Sequence, residues 1–394
     1  MTDSVAVVGG GAVGVTAALS LADRGAAVTL FERDEIAAES TGRAAGICYD
    51  AFAGRTDATV AGRAMTHFRD LAAETRFAFT DHPYVWLART GDETRADAIR
   101  EQVPRMRERG RDVTLLDPSA LAAECPGLAT DDVAVAAIAR DAALADPAEY
   151  AAVVAERARA AGATIRTETE ARVKTDPAVE TAAGTERFDA VLVAAGAHTR
   201  HLLAEAGVAV PIKAYRVQAT VTDPFPASAE LPTLYDATQE FYWRPREVCE
   251  GGHDGRPTGG RRRPREGGLL VGDGTEKRDF DPEDWDRTAD DAFVASAIDR
   301  VDAALASDAD GPAGSGRAWA GLCTATPDRD PLQGELESDL FVAAGWHGHG
   351  FMRAPALGRT VAGQMLGDDG IDAFDPRRFD GDEAFAVVEG MTVD

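Results

Sequence analysis

Val5-Ala6-Val7-Val8-Gly9-Gly10-Gly11-Ala12-Val13-Gly14, an apolar run that passes directly into glycines, decides how this chain is read. Val5–Gly9 has the β-branched content of a buried strand, and Ala12 to Arg24 puts Val13, Ala17 and Leu21 on one helical face. Gly25 stops that helix and Ala27–Phe31 makes a second strand, so the opening reads as a βαβ unit. Within G-x-G-x-x-G, Gly9 permits the tight turn, Gly11 lets a pyrophosphate approach the backbone, and Gly14 allows close helix–strand packing. Ala12 and Val13 open the helix, whose free N–H groups and dipole favour the pyrophosphate charge. Glu32 ends the next strand, where a carboxylate accepts bonds from ribose hydroxyls. String, position and spacing together indicate a dinucleotide site.

Outward from this unit, helices are expected at 60–76, Arg95–Arg109, Pro147–Ala161, Asp290 to Ala306 and Pro355–Leu366. Strands are expected at Tyr84–Ala88, Val133–Ala139, Thr164–Arg166, Arg172–Thr175, Phe188–Ala194, Arg216–Val221, Glu240–Trp243, Leu269–Val271 and Leu340–Ala344. Residues 246–268 and 307–316 read as surface loops. The cluster Arg261-Arg262-Arg263-Pro264-Arg265 is a solvated hairpin tip or, alternatively, a docking patch for an acidic partner.

The 394 residues suffice for two or three domains, and a hydrophobic content of 45% provides for a large core. Lys+Arg number 41 against 67 Asp+Glu, a net charge of −26 that repels DNA, RNA and anionic membranes and argues against nucleic acid or a membrane as partner. Lys174, Lys213 and Lys277 are the only lysines, so almost all basic residues are Arg. At about 1 M salt the Debye length is roughly 3 Å and such self-repulsion disappears, which points to a salt-adapted cytosol of the haloarchaeal kind. Cys48, Cys125, Cys249 and Cys323 are scattered without a C-x-x-C pair, so no Cys-based metal site or disulfide framework is expected. Strand-like sequence from Ser4 leaves no room for a signal peptide, and no apolar run approaches the roughly 20 residues of a membrane span. A cytoplasmic protein is expected.

The glycine motif serves NAD or FAD, and the residues after Glu32 choose between them. Arg33-Asp34-Glu35-Ile36 leads into Glu39-Ser40-Thr41-Gly42-Arg43-Ala44-Ala45-Gly46-Ile47, a small-residue segment with hydroxyls and one Arg, suited to running along an extended cofactor. Here the sequence resembles the D-amino-acid oxidase/sarcosine oxidase (DAO) family of FAD-dependent oxidoreductases. The resemblance recurs at Asp146-Pro147 with Arg172-Val173-Lys174, at Val191 to Ala197 with the turn Ala195-Gly196, and at Phe241-Tyr242-Trp243-Arg244-Pro245 with Gly268 to Gly272. It appears again at Trp319 to Asp328, which includes Gly321, and at Ala343 to Phe351, so it covers about Val5 to Leu366.

The resemblance implies an α/β fold of glutathione-reductase-like type. A discontinuous Rossmann-like FAD-binding domain would comprise 1–75, 145–212 and 315–394, and a second α+β substrate domain 76–144 and 213–314. It implies oxidation of the C–N bond of an amino acid or secondary amine, with hydride passing to flavin N5 and an imine product, and O2 or another electron acceptor. An alternative is a flavoprotein subunit of a dehydrogenase complex passing electrons to a redox partner or quinone. A non-catalytic FAD-binding scaffold is opposed by the intact flavin-facing loops.

Among site residues, Val173 is implied on the adenine side of FAD and Ala195-Gly196 beside it. Gly348, His349, Gly350, Phe351 and Met352 form a loop and helix start whose amides suit the flavin N1–C2=O edge, where negative charge gathers on reduction. His347 and His349 are acid–base candidates or, equally, holders of loop geometry. Tyr242 and Arg244, two apart on a strand, face one side; Tyr242 would close over the substrate and Arg244 clamp a carboxylate, or Arg244 is an edge-strand Arg paired with an acid. The family's usual anchors and oxygen-activating Lys fall at Cys323, Met352 and Leu270, and its flavin-linking Cys at Gly321. Cys323 leaves a covalent flavin open, with a non-covalent one favoured.

Overall fold

One computed structural model describes residues 3–246, 267–307 and 309–390. The Arg-rich stretch 261–265 and Cys249 lie outside the described residues. The opening strand Ser4–Val8 runs parallel to Ala27–Phe31, joined by the helix Ala12–Asp23. They belong to a six-stranded sheet in the order Leu332–Glu337, Leu340–Ala344, Ala190–Val193, Ser4–Val8, Ala27–Phe31, Thr164–Arg166, parallel except for its first strand. Val5 and Val7 face one apolar cluster, while Ala6 and Val8 face another. Burial on both faces explains why these strands are apolar throughout rather than alternating.

Against one face pack the helices Ala12–Asp23, Arg55–Glu74, Pro147–Ala160 and Gly350–Met365. Gly358 of the last helix lies directly on the first, since a Cβ there would come within 2.6 Å of the Thr16 Cβ. The Thr16 hydroxyl also meets Tyr150 Oη at 2.8 Å. The opposite face is covered by the helix Thr199–Glu205 and a small meander that includes Arg172–Lys174.

A second, eight-stranded sheet runs in the order Ser315–Ala325, Lys213–Thr222, Leu269–Glu276, Phe241–Pro245, Thr233–Asp236, Tyr84–Arg89, Val133–Ala139, Val113–Leu116. Its strands are antiparallel apart from the pair Thr233–Asp236 and Tyr84–Arg89. Trp243, Val271 and Val85 pack with the helix Asp291–Ala304 on one face; Tyr84, Trp86 and Tyr235 pack with the helix Glu93–Glu108 on the other. No helix among the described residues is long and apolar enough to cross a membrane.

Two expectations change. Residues from 315 onward were expected with the nucleotide half, yet Ser315–Ala325 is laddered along Lys213–Thr222, with Gly321 opposite Val217 and Cys323 opposite Tyr215. The last helix was expected to start at Pro355 but begins at Gly350, so Pro355 lies inside it and forfeits a bond to the Phe351 carbonyl.

Candidate active site

A cavity of about 390 Å³ is bordered by both sheets, and the glycine motif forms one of its walls. Gly9 adopts φ +114°, and a Cβ there would lie 2.4 Å from the Ala194 carbonyl oxygen. Gly14 does not line the cavity; its missing Cβ would lie 2.0 Å from the Gly9 oxygen, which makes it the packing glycine of the turn. Gly11 caps the helix without a side chain, and the Ala12 N–H donates to Thr41 Oγ1 at 3.1 Å. Gly11, Ala12 and Val13 therefore present backbone at a helix N-terminus to the cavity, the arrangement that suits a pyrophosphate. Glu32 also lines it, and its carboxylate accepts the Gly10 N–H at 2.6 Å and the Asp34 N–H at 2.9 Å. Arg33, beside it, donates to Glu283 at 2.8 Å.

The small-residue segment follows the same wall. Ser40, Thr41, Arg43, Ala44, Ala45 and Gly46 all border the cavity, as do Ala195, Gly196 and Gly321. Ser40 Oγ donates to the Leu322 carbonyl at 2.7 Å, tying this segment to the eight-stranded sheet. Arg43 is paired with Glu39, and Gly46 at φ +73° has no room for a Cβ beside the Ala145 oxygen. A dinucleotide fits this wall, because side chains are absent where its phosphates would press on backbone.

Gly348, His349, Gly350, Phe351 and Met352 bring the N-terminus of the last helix to the cavity. His349 Nε2 lies 3.4 Å from Tyr49 Oη, and its ring meets Phe52 edge-on. Burial, together with Arg353, holds the His349 imidazole well below its usual range, so it is neutral.

The wall from the eight-stranded sheet is rich in phenols. Tyr49 and Tyr84 stack at 4.6 Å, and Tyr242 and Tyr215 border the same space. Tyr242 lies across Gly272 of the neighbouring strand, where a Cβ would come 2.1 Å from the ring. Burial pushes the Tyr49 phenol up to about 12 and the Tyr242 phenol higher still. Asp273, Thr275, Cys323 and Glu389 complete this end, with Thr275 Oγ1 donating to Glu389 Oε2 at 2.8 Å. Sequence reading missed Tyr49, Tyr84, Tyr215, Asp273 and Glu389. The tyrosines are ordinary strand residues, and Glu389 arrives from a tail beyond the last helix without any motif around it.

Besides Gly14, three candidates lie outside the cavity lining. His347 is 2% exposed; its Nε2 accepts the Thr326 N–H at 2.8 Å and its Nδ1 donates to the Val388 carbonyl at 3.2 Å. With both ring nitrogens held by backbone it has no proton to exchange with a substrate, and burial draws its pKa down to about 4. Arg244 bonds the Ala45 and Pro245 carbonyls, and Tyr242 as well as Cys48, His82 and Asp146 interacts with its charge. Its guanidinium is held on the backbone of the small-residue segment, outside the cavity lining. Val173 is buried in the meander opposite Val179, and its neighbours Ala171 and Arg172 border the cavity instead.

A family model described as FAD dependent oxidoreductase, DAO, matches residues 4–364. The 4-methylaminobutanoate oxidase (formaldehyde-forming) of Paenarthrobacter nicotinovorans is 31% identical over 218 residues, 50% of this chain and 23% of that protein. A tRNA 5-methylaminomethyl-2-thiouridine biosynthesis bifunctional protein of Maricaulis maris is 35% identical over 120 residues, 29% of this chain and 19% of that protein. These matches span less than a quarter of either relative's length. Among solved structures, L-proline dehydrogenase from P. horikoshii has a TM-score of 0.79 at 26% identity, covering 96% of this chain and 97% of that one. Glycine oxidase from Geobacillus kaustophilus reaches 0.81 at 23% identity over 96% and 99% of the two chains, a likeness of fold. Since the match runs from the opening strand through the last helix and the glycine wall suits the cofactor, the chain belongs to the DAO family of FAD-dependent oxidoreductases, enzymes that work with FAD.

Proposed function

We propose that this enzyme oxidises the C–N bond of a small amine or amino acid. The observation that carries the reading is the phenol-lined space of Tyr49, Tyr84, Tyr215 and Tyr242, continuous with the glycine wall that suits FAD. The named activities of the relatives, on methylaminobutanoate, L-proline and glycine, support the same bond. Bound FAD supplies the two-electron acceptor. The substrate carbon loses hydride and its nitrogen a proton, and water converts the imine to a carbonyl compound and a smaller amine. The rings shield the reacting bond from water and orient it, so no side-chain base is required.

In this reading Gly9, Gly11, Ala12 and Val13 hold the pyrophosphate and Glu32 the ribose. The segment Ser40 to Gly46 and the loop Gly348 to Met352 flank the ring system, and Tyr242 covers the substrate. Burial pushes the Cys323 thiol up to about 12, with Glu389 adding to the shift, which disfavours the thiolate and supports a non-covalent flavin. The FAD-binding part is 1–75, 145–212 and 326–394, and the substrate part 76–144 and 213–325. The net charge of −26 supports a salt-adapted cytoplasm of the haloarchaeal kind. Anaerobic mixing of the yellow holoenzyme with primary amines, secondary amines and amino acids should bleach the flavin with one class. Fast recolouring in air would mark O2 as acceptor, and slow recolouring a redox partner or quinone. Retained FAD that no amine or amino acid bleaches would refute C–N oxidation.

A further inference from the structure

Between the strand Leu269–Glu276 and the helix Asp291–Ala304 the chain leaves the eight-stranded sheet and meets residues of the six-stranded half. The ends of this segment are held by backbone: the Phe280 N–H donates to the Ala214 carbonyl at 2.8 Å, and the Arg287 carbonyl accepts the Ala320 N–H at 2.9 Å. Its middle is fastened by side chains. Glu283 Oε1 accepts from Arg33 Nη1 at 2.8 Å and lies 2.9 Å from His198 Nδ1, while Arg33 Nη2 lies 3.1 Å from His198 Nε2. Trp285 packs with Phe280 and Leu322 and has the Arg43 guanidinium over its ring, and Arg287 donates to Glu39 at 3.3 Å.

Glu283, Arg33 and His198 close a ring of three polar contacts. Burial and the Arg33 charge lower the His198 pKa, so its imidazole is neutral, with Nδ1–H donating to Glu283 and Nε2 accepting from Arg33. A single exposed ion pair contributes little, but here each group serves the other two. Asp34 and Glu39 face Arg33 as well, at 3.3 and 3.7 Å. Glu283, Arg33, His198 and Glu39 all border the cavity, as does Glu32 next to them. The segment therefore joins two walls of the space that suits FAD, and its fastening can open without breaking either sheet.

We propose that Glu283, acting with His198 through Arg33, fastens the segment 280–287 across the cofactor cavity and so retains FAD, as a positioning residue supplied to the cofactor by the substrate part. This does not depend on which bond is oxidised, but its first test rests on the non-covalent flavin proposed above.

Holoenzyme is diluted and the release of FAD is followed by the rise of its fluorescence. Glu283→Gln should release FAD about three- to tenfold faster, the worth of a partly exposed pair within a network. Adding Arg33→Gln should accelerate release by less than the product of the two single effects, because the two residues act as one unit. The Tm of the flavin-free protein should hardly move, since the Glu283 side chain is exposed; a drop equal to that of the holoprotein would mark a merely structural pair and overturn the proposal. Release at the wild-type rate or slower, as when an unpaired Arg33 holds a phosphate better, would also overturn it, as would single effects that multiply. Flavin that stays with acid-precipitated protein would refute the non-covalent reading instead. The fastening is then read from backbone hydrogen exchange at 281–285 in the two holoproteins, which should be about three- to tenfold faster in Glu283→Gln. Equal exchange would overturn the proposal.

Discussion

His347 occupies φ +47° so that its two ring nitrogens bridge the Thr326 amide and the Val388 carbonyl, one residue before Glu389. Protonation would put a second donor against the Thr326 N–H. Its pKa is about 4 in the fold against roughly 6.5 in an open chain, so between those values the unfolded chain binds a proton that the folded one excludes. Its contribution is therefore complete above about pH 6.5 and is lost progressively as pH falls toward 4, at most about 3 kcal/mol. His347→Asn, which tolerates positive φ, should flatten the dependence of Tm on pH across that window; identical slopes in wild type and variant would refute the bridge. Residue-scale roles were unevenly legible. Gly9, Gly11 and Gly14 show their purpose in sequence because backbone contact excludes side chains, whereas the roles open to His347 and Arg244 depend on partners distant in sequence, the Thr326 amide and Val388 carbonyl for one and the Ala45 carbonyl for the other.

The helices Ala12–Asp23 and Gly350–Met365 both deliver their N-termini to the cavity, and Gly358 sets how closely they cross. A Cβ at that position would approach Thr16 Cβ to 2.6 Å and the Val13 carbonyl oxygen to 2.9 Å. Gly358→Ala should force the pair apart, costing about 1–3 kcal/mol as overpacking does, and weaken FAD retention through the displaced helix start. Calorimetry with and without added FAD checks this, and an unchanged Tm and flavin content would contradict it. The βαβ opening was readable because local periodicity and glycine placement define it. Strand Ser315–Ala325 was read into the other half because its partner, Lys213–Thr222, lies about a hundred residues away and local sequence carries no pairing signal.

At the scale of the whole molecule the net charge of −26 acts on every surface at once. Many of its ion pairs are solvent-exposed, such as Arg76 with Glu156 and Arg157 with Glu74, and pairs of that kind offset little of the repulsion. Molar KCl shortens the screening length to roughly 3 Å, so Tm should rise by several degrees from dilute buffer to molar KCl; equal values would end the salt-adaptation reading. Composition alone determines that field, since charge adds up regardless of fold. Sequence likewise determined the dinucleotide half, whose turn, helix start and acidic strand end are contiguous. Only the tertiary structure decided the substrate end, where Tyr49, Tyr215, Tyr242, Asp273 and Glu389 meet from separate strands and a tail. Their chemistry comes from mutual burial, and burial is a property of the assembled chain rather than of any segment.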